Sequence, residues 1–409
     1  MKIFDELVKE TLKALAIATV QEDASSGAPF GAGNAEALKS ALNLARSFGF
    51  TTRNLDGYAG WAEIGEGDLF GVLGHLDTVP IGDGWTRSPL GEIYDGKLYG
   101  RGVMDDKGPM LAALFAAKRL LDEGHMPKCR LRFIFGCNEE TGWACMRKYS
   151  ETEEMPALAI SPDADFPIIN SEKGVLNVQL TLPFNGKAIT ITAGERANMV
   201  PALCCAKING EELKTTGVAA HGSRPEDGEN AIIKMLEKLA PADETLRFLY
   251  EKLRGYDGSG CGINASDDKS GGLTQNLGII RSDADSVTVT LDIRYPVTVS
   301  AEYVLNGLKT AFPNAVLRQT HAHPPLYLPK DHNLVTTLLT VYEKVTGEKA
   351  APIAIGGATY ARAVPLGVAF GPQLPGRKST IHSPDEHVSL NDFSIIFEIY
   401  YEALKALVF

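Results

Sequence analysis

The sequence predicts an α/β protein: a sheet domain of buried strands and helices, interrupted in mid-chain by an α+β insert. At 409 residues the chain exceeds what one compact core usually holds, which suggests two domains of roughly 100–200 residues each. Between Phe70 and Phe135, and again near the C-terminus, short apolar runs alternate with helical segments and glycine-rich turns, the pattern of strands buried on both faces. From about residue 174 to 324 the pattern changes to period-two alternation, as half-buried antiparallel strands require.

The elements follow in order. The N-terminal MKIFDELVKETLKALAIATV intersperses charged residues among apolar ones at helical spacing, so it reads as a helix and not as a signal peptide. Next come a strand (LFGVLGHLD), a turn (GRGVMDDKG), a helix (PMLAALFAAKRLLDEG) and a strand (RLRFIFG). ALAISPD is a further strand ending at Asp163, and GVAFGP has the same character. Polar residues follow these apolar runs, and in such sheets sites form where loops leave the carboxyl ends of the strands. Within the insert, VLNVQLTL, KAITITAG and SVTVTLDIRYP are expected as strands, AIIKMLEKLA and AEYVLNGLKTAF as amphipathic helices, and GYDGSGCGINASDDKSGG as a flexible loop. The first domain is therefore expected to be discontinuous, residues 1–173 and 325–409, around an insert of 174–324.

Composition narrows the classes. With 44% hydrophobic and 22% charged residues the chain has ordinary globular cores and too little charge for disorder. The six cysteines lack the dense spacing of a disulfide framework and are expected to be reduced, with Cys204 and Cys205 as strand residues and Cys137 as packing. A net charge of −11 disfavours nucleic acid and anionic lipid as partners, and no run approaches the roughly 20 apolar residues of a membrane span. A soluble, cytoplasmic location is the expectation.

His75 with Asp77, Asp105–Asp106, Glu139–Glu140, Asp163 and His382 each lie near an expected strand end or turn. Carboxylate and imidazole together suit zinc, manganese or cobalt, and two cations need about five or six such donors if one carboxylate bridges them. On extended chain His75 and Asp77 leave the same face, so the carboxylate can reach the second imidazole nitrogen. Adjacent glutamates point opposite ways, which suits one that grips a metal beside one that faces water.

Taken together, GHLDTVP, YGRGVMDDKG, GCNEETG, SPDADFP, AHGSRP and IHSPDEH follow one another as in the M20 family of metallopeptidases, which this chain resembles over almost its whole length. YAGWAEIG, SPDADFPIINSEKG, NMVP, DIRYP and GGATYAR resemble most closely the family's PepV-like dipeptidase branch. The resemblance implies a metal-binding α/β/α catalytic domain with an inserted α+β lid domain, two divalent ions with zinc first and manganese or cobalt as alternatives, and a dipeptide or short peptide as substrate. His75 and Asp163 would bind one metal, Glu140 and His382 the other, and Asp105 would bridge them across a cis Asp105–Asp106 peptide. Asp77 would orient His75, and Glu139 would be the general base that activates the attacking water and then protonates the leaving amine. His221 of the lid would stabilise the oxyanion, so that catalysis requires domain closure.

For the substrate carboxylate Arg294 is the natural partner, since a guanidinium offers a bidentate fork, and the resemblance to PepV-like relatives implies that Asn198, Gly357 and Thr359 would line the substrate site. Between NMVP and AHGSRP the chain has only a short link where PepV-like relatives usually have a longer stretch of lid. That leaves His221 supplied either by the chain's own lid, as in a monomer, which the PepV-like insertion favours, or by a partner in a homodimer. The competing readings are an N-acyl-amino-acid deacylase of the same superfamily and a binding protein that has lost catalysis. The second is disfavoured because every expected position is filled.

Overall fold

The computed structural model describes residues 2–185 and 188–409. Met1 and Lys187, which open two of the expected elements, lie outside the described residues. The chain forms two compact units, one of Met1–Asn170, Leu328–Ile353 and Thr359–Phe409, the other of Ser171–Tyr327 and Ala354–Ala358.

In the first unit, four parallel strands occupy the centre of the sheet in the order Arg130–Gly136, Leu69–His75, Leu158–Ser161 and Leu366–Ala369. The antiparallel pair Thr51–Leu55 and Ala59–Ile64 extends the sheet beyond Arg130–Gly136. The His75 strand is buried along its whole length, which explains why it reads as an unbroken apolar run and not as an alternating one. The helix Lys107–Asp122 is buried continuously from Lys107 to Ala117, and its alanines and glycine let it pack on several sides at once. Lys107 supports this position by donating from Nζ to the carbonyls of Ala14 at 3.2 Å and Ile17 at 2.7 Å, one in the last turn of the helix Lys2–Leu15 and one just past it. The helices Ala32–Ser47, Asn333–Thr346 and Leu390–Leu407 add their apolar faces to the same core.

The second unit is a seven-stranded antiparallel sheet in the order Glu211–Thr216, Leu203–Ile208, Ile189–Ala193, Thr274–Ser282, Ser286–Tyr295, Gly174–Pro183 and Val316–His323. Its core joins Leu176, Val178, Leu180, Val289, Leu291 and Ile293 of the strands to Ile232, Met235, Leu249, Val304 and Leu308 of three helices. Each helix begins on a side-chain cap suited to the exposed first-turn amides: Asn230, Asp243 and Ser300 accept from backbone N–H groups of Ala231–Leu239, Glu244–Leu253 and Ala301–Ala311.

Three local readings change. The glycine-rich segment 255–272 is not a free loop: Cys261 and Ile263 are buried in the second core, and the Asp267 carboxylate accepts bonds from Lys269, Ser270 and Thr298. Its glycines mark turns, while its few apolar residues anchor it. The short link before His221 is a hairpin, Leu203–Ile208 with Glu211–Thr216, which forms one edge of the sheet. Residues 354–358, expected in the first domain, group with the second unit because Ile355 O accepts from Lys173 N and Gly356 O accepts from Arg294 Nη1, both at 3.0 Å. Among the described residues no helix is long and apolar enough to cross a membrane.

Candidate metal centre

Parallel strands all end on the same edge of a sheet, so the loops that follow them are brought together there. His75 is the last residue of its strand, Asn138–Glu140 follow the strand Arg130–Gly136, and Asp163 stands two residues beyond Leu158–Ser161. Ser161 Oγ donates to Leu73 O at 2.8 Å, tying the two neighbouring strand ends. Asp105 precedes the helix Lys107–Asp122, and its peptide bond to Asp106 is cis. Asp106 turns inward, where its Oδ2 accepts from His75 N at 3.2 Å. Gly74 makes this approach possible, because any side chain there would overlap the Asp106 carboxylate and Met110. His382, with a left-handed φ of 60°, sits in the loop before the strand His387–Ser389.

These residues converge. His75 Nε2 lies 2.9 Å from Asp105 Oδ1 and 3.5 Å from Asp163 Oδ2. His382 Nε2 lies 2.8 Å from Asp105 Oδ2 and 3.2 Å from Glu140 Oε1. The two oxygens of Asp105 thus face different imidazoles, each of which also has a second carboxylate beside it. Ligand atoms of His75, Asp105 and Glu140 all lie within 4.8 Å of one another, close enough to share an ion. His75 Nε2 is buried and, despite its short distance to Asp105, has no well-aligned hydrogen bond among the described residues. A buried nitrogen facing hard oxygen donors, without a hydrogen bond of its own, fits a divalent cation.

The charge distribution agrees. Among the described residues, the ion pairs of Asp105, Glu140 and Asp163 are with imidazoles only. Burial opposes charge on His75, but Asp105 and Asp163 outweigh it and raise its pKa well above the usual range. Burial likewise opposes charge on His382, yet Asp105 and Glu140 push it up to about 11. Burial, followed by the nearby Asp105, pushes Asp163 up to about 7. The cluster therefore holds more negative charge than its own side chains neutralise, and it attracts positive charge.

Asp77 meets His75 mainly through its backbone. His75 Nδ1 meets the backbone carbonyl of Asp77 at 2.9 Å, while the Asp77 carboxylate stands 3.6 Å away. That carboxylate accepts from Glu139 N at 3.0 Å and Glu140 N at 3.1 Å, so it braces the turn that carries both glutamates. Glu139 Oε1 accepts from the Trp143 indole at 3.0 Å, and removal from water raises its pKa well above the ordinary carboxylate range.

The second unit brings together another group. Met199 and His221 form an antiparallel bridge, and Asn198 O accepts from Gly222 N at 2.7 Å. Gly222 is required here, since a Cβ would come within 2.6 Å of Asp292 Oδ2 and 3.0 Å of Asn198. His221 Nδ1 lies 2.7 Å from Ser223 Oγ. Arg294 is buried and donates from Nε at 3.1 Å and Nη2 at 2.9 Å to Asp292 Oδ2, and from Nη1 to Gly356 O at 3.0 Å. Gly357 follows in the same unit, whereas Thr359 belongs to the first unit, where its hydroxyl caps the turn Tyr360–Ala363.

The sequence reading missed several residues. Trp143 holds Glu139. The fully buried Tyr360 packs edge-on to His75 and Trp143, with its hydroxyl 2.9 Å from Cys145 Sγ. Glu386, inside the His382 motif, is also buried. Tyr360 and Glu386 make their contacts across the fold, so only their place within motifs could have flagged them, whereas Trp143 stands four residues from Glu139, just past GCNEETG.

The family model described as Peptidase family M20/M25/M40 matches residues 71–406. YtjP of Bacillus subtilis, which carries a provisional dipeptidase name, is 37% identical over 451 aligned positions that cover 98% of this chain and 97% of that protein. A Staphylococcus saprophyticus protein named in the same way is 32% identical, covering 100% of this chain and 98% of its own. Among solved structures, an M20 family metallo-carboxypeptidase from Sulfolobus solfataricus matches with a TM-score of 0.64 at 18% identity, over 98% of this chain and 99% of that one. With a fold, a divided carboxylate between two imidazoles and a family match that all lead to one place, the chain belongs to peptidase family M20/M25/M40, whose members are metal-dependent.

Proposed function

We propose that this chain is a cytoplasmic dipeptidase that holds two divalent ions, zinc first and manganese or cobalt as alternatives, and cleaves the peptide bond of dipeptides or short peptides. The observation that carries the reading is Asp105, whose Oδ1 and Oδ2 lie 2.9 and 2.8 Å from the Nε2 atoms of His75 and His382. A carboxylate divided in this way suits two ions, with Asp163 completing the His75 side and Glu140 the His382 side. The relatives with dipeptidase names align over nearly the full length of the chain, which supports the substrate class. Six free cysteines suit a reducing compartment, and the first unit is read as catalytic and the second as its lid.

When bound, such ions supply Lewis acidity toward the scissile carbonyl and lower the proton affinity of water. Glu139 is the general base: it takes the proton of the attacking water and passes it to the leaving amine. Trp143 and Asp77 fix its position, one through the carboxylate oxygen and the other through the backbone amide. His221 is the oxyanion donor: its Nδ1 accepts from Ser223 N at 3.3 Å, which leaves Nε2 to carry the N–H. Arg294 receives the substrate carboxylate beside Asn198 and Gly357, with Thr359 as a further contact. Three of its five donors are committed among the described residues, so it offers a ligand only part of its fork.

A deacylase would share the metal core, and the dipeptidase names of the relatives do not favour it. Steady-state kinetics on a panel of dipeptides and a matched panel of N-acyl amino acids decides between them. The dipeptidase reading expects far higher kcat/KM on dipeptides, and a preference for N-acyl substrates overturns it.

A further inference from the structure

Outside the ligand set, one fully buried carboxylate is joined to the loops that deliver three of the ligands. Glu386, four residues after His382, has no exposed surface, and Arg101 beside it is 4% exposed. Arg101 Nη1 donates to Glu386 Oε2 at 2.7 Å. Glu386 Oε1 accepts from Gly102 N at 3.2 Å and Met104 N at 3.0 Å, the two amides that lead into Asp105. Its own carbonyl accepts from Gly100 N at 3.0 Å, so both the backbone and the side chain of Glu386 grip the Asp105 loop. Arg101 extends the connection, because its Nη2 donates to Ile81 O at 3.1 Å in the loop that begins at His75 and Asp77. The neighbouring Asp385 adds a second tie to that loop by accepting from Thr86 N at 2.8 Å and Arg87 N at 3.0 Å.

A buried ion pair contributes little net stability, since the desolvation of both charges offsets their attraction. The one formed by Arg101 and Glu386 instead fixes geometry. The His382 loop has no long strand or helix to hold it, and His382 and Asp385 both adopt left-handed backbone. We propose that Glu386, with Arg101, is the positioning residue of the metal centre: it sets the separation of His75, Asp105 and His382 without touching metal or substrate. This rests on the reading of those three residues as ligands. Each N–H that Glu386 accepts lies on the approach to Asp105, so losing the carboxylate releases the residue whose two oxygens face both imidazoles.

The test is calorimetric titration of the metal-free full chain with Zn²⁺ alone, comparing wild type with Glu386→Ala, Glu386→Gln and Arg101→Met. Glu154→Gln, in the exposed pair with Arg130, serves as a surface control. Thermal unfolding in chelator establishes that each variant is folded. Positioning predicts affinity about 10–100-fold weaker for Glu386→Ala, as loss of a partner behind a metal ligand typically produces, and unchanged affinity for the control. Glu386→Gln keeps an acceptor for the two amides and should lose less. Raising free Zn²⁺ should restore turnover in the folded variants, which a lost catalytic group would not allow. If Glu386→Ala fails to fold, the near-isosteric Glu386→Gln and Arg101→Met decide. Folded variants that bind Zn²⁺ as wild type does overturn the proposal and leave the metal reading standing, whereas a wild type that binds no metal ends both.

Discussion

Glu139 combines two properties that a general base needs at neutral pH. It is drawn out of water, which raises its proton affinity, and it is aimed by the Trp143 indole. Glu139→Gln keeps the shape and leaves the proposed ligand Glu140 in place, so metal content measured by elemental analysis should stay at the wild-type level while kcat falls by about 10²–10⁴-fold. Near-normal turnover would remove Glu139 from the mechanism. Arg294 poses the opposite question, because the structure pairs it with Asp292. If it still receives the substrate, Arg294→Ala should raise KM for dipeptides with a free carboxylate far more than for their amides, since the lost contact is charge-assisted. An equal effect on both substrates would leave it holding Asp292 and Gly356 only. At this scale the sequence revealed residue types and their spacing. It could not show that the Asp77 carboxylate serves two amides and its carbonyl the imidazole, because both contacts depend on how the 138–140 turn folds over it.

Among the elements, the segment 255–272 shows how a glycine-rich stretch becomes fixed. Burial would raise the pKa of Asp267, but the N–H and O–H donors of Ser270 and Thr298 outweigh it and hold the carboxyl at about 2. A carboxyl depressed in the folded state adds stability that is fully present above its unfolded pKa of about 3.9 and fades as pH falls toward about 2. Asp267→Ala should therefore destabilise the second unit by about 0.5–1.5 kcal/mol at pH 7, the net worth of a typical hydrogen bond, because solvent reaches most of the donors left behind. In urea unfolding, the gap between variant and wild type should shrink as pH falls from about 4 to about 2. A gap that stays constant over that range would show that the carboxylate charge contributes nothing. Strands and helices with clear periodicity, such as Ser286–Tyr295 and Ala301–Ala311, were legible because side-chain period alone identifies them. Of the hairpin, the strand around Cys204 and Cys205 was legible and Glu211–Thr216 was not, because an edge strand with exposed charges carries little alternating pattern.

For the whole molecule, the metal reading makes the most direct prediction. Exhaustive chelation should abolish hydrolysis, and zinc, manganese or cobalt should each restore activity, because imidazole and carboxylate donors do not select one of these ions strongly. Full activity in metal-free protein would refute it. His221 lies in a different unit from every proposed ligand, so His221→Ala should leave metal content unchanged and lower kcat by about 10²–10³-fold. Mixing His221→Ala chains with Glu139→Gln chains then tests how the histidine is supplied. A monomer predicts an inactive mixture, and recovered activity would show that subunits exchange it.

The sequence by itself determined the candidate ligand types, their order along the chain, the α/β class and the inserted antiparallel sheet, because these depend on local periodicity and on motifs a few residues long. Tertiary structure decided which atoms meet. Asp105 lies between His75 and His382 where a side-chain-free Gly74 and the His382 loop meet at the carboxyl edge of one parallel sheet. The grip of Glu386 on the Asp105 loop spans more than 280 positions of the chain, a separation over which no local pattern carries information.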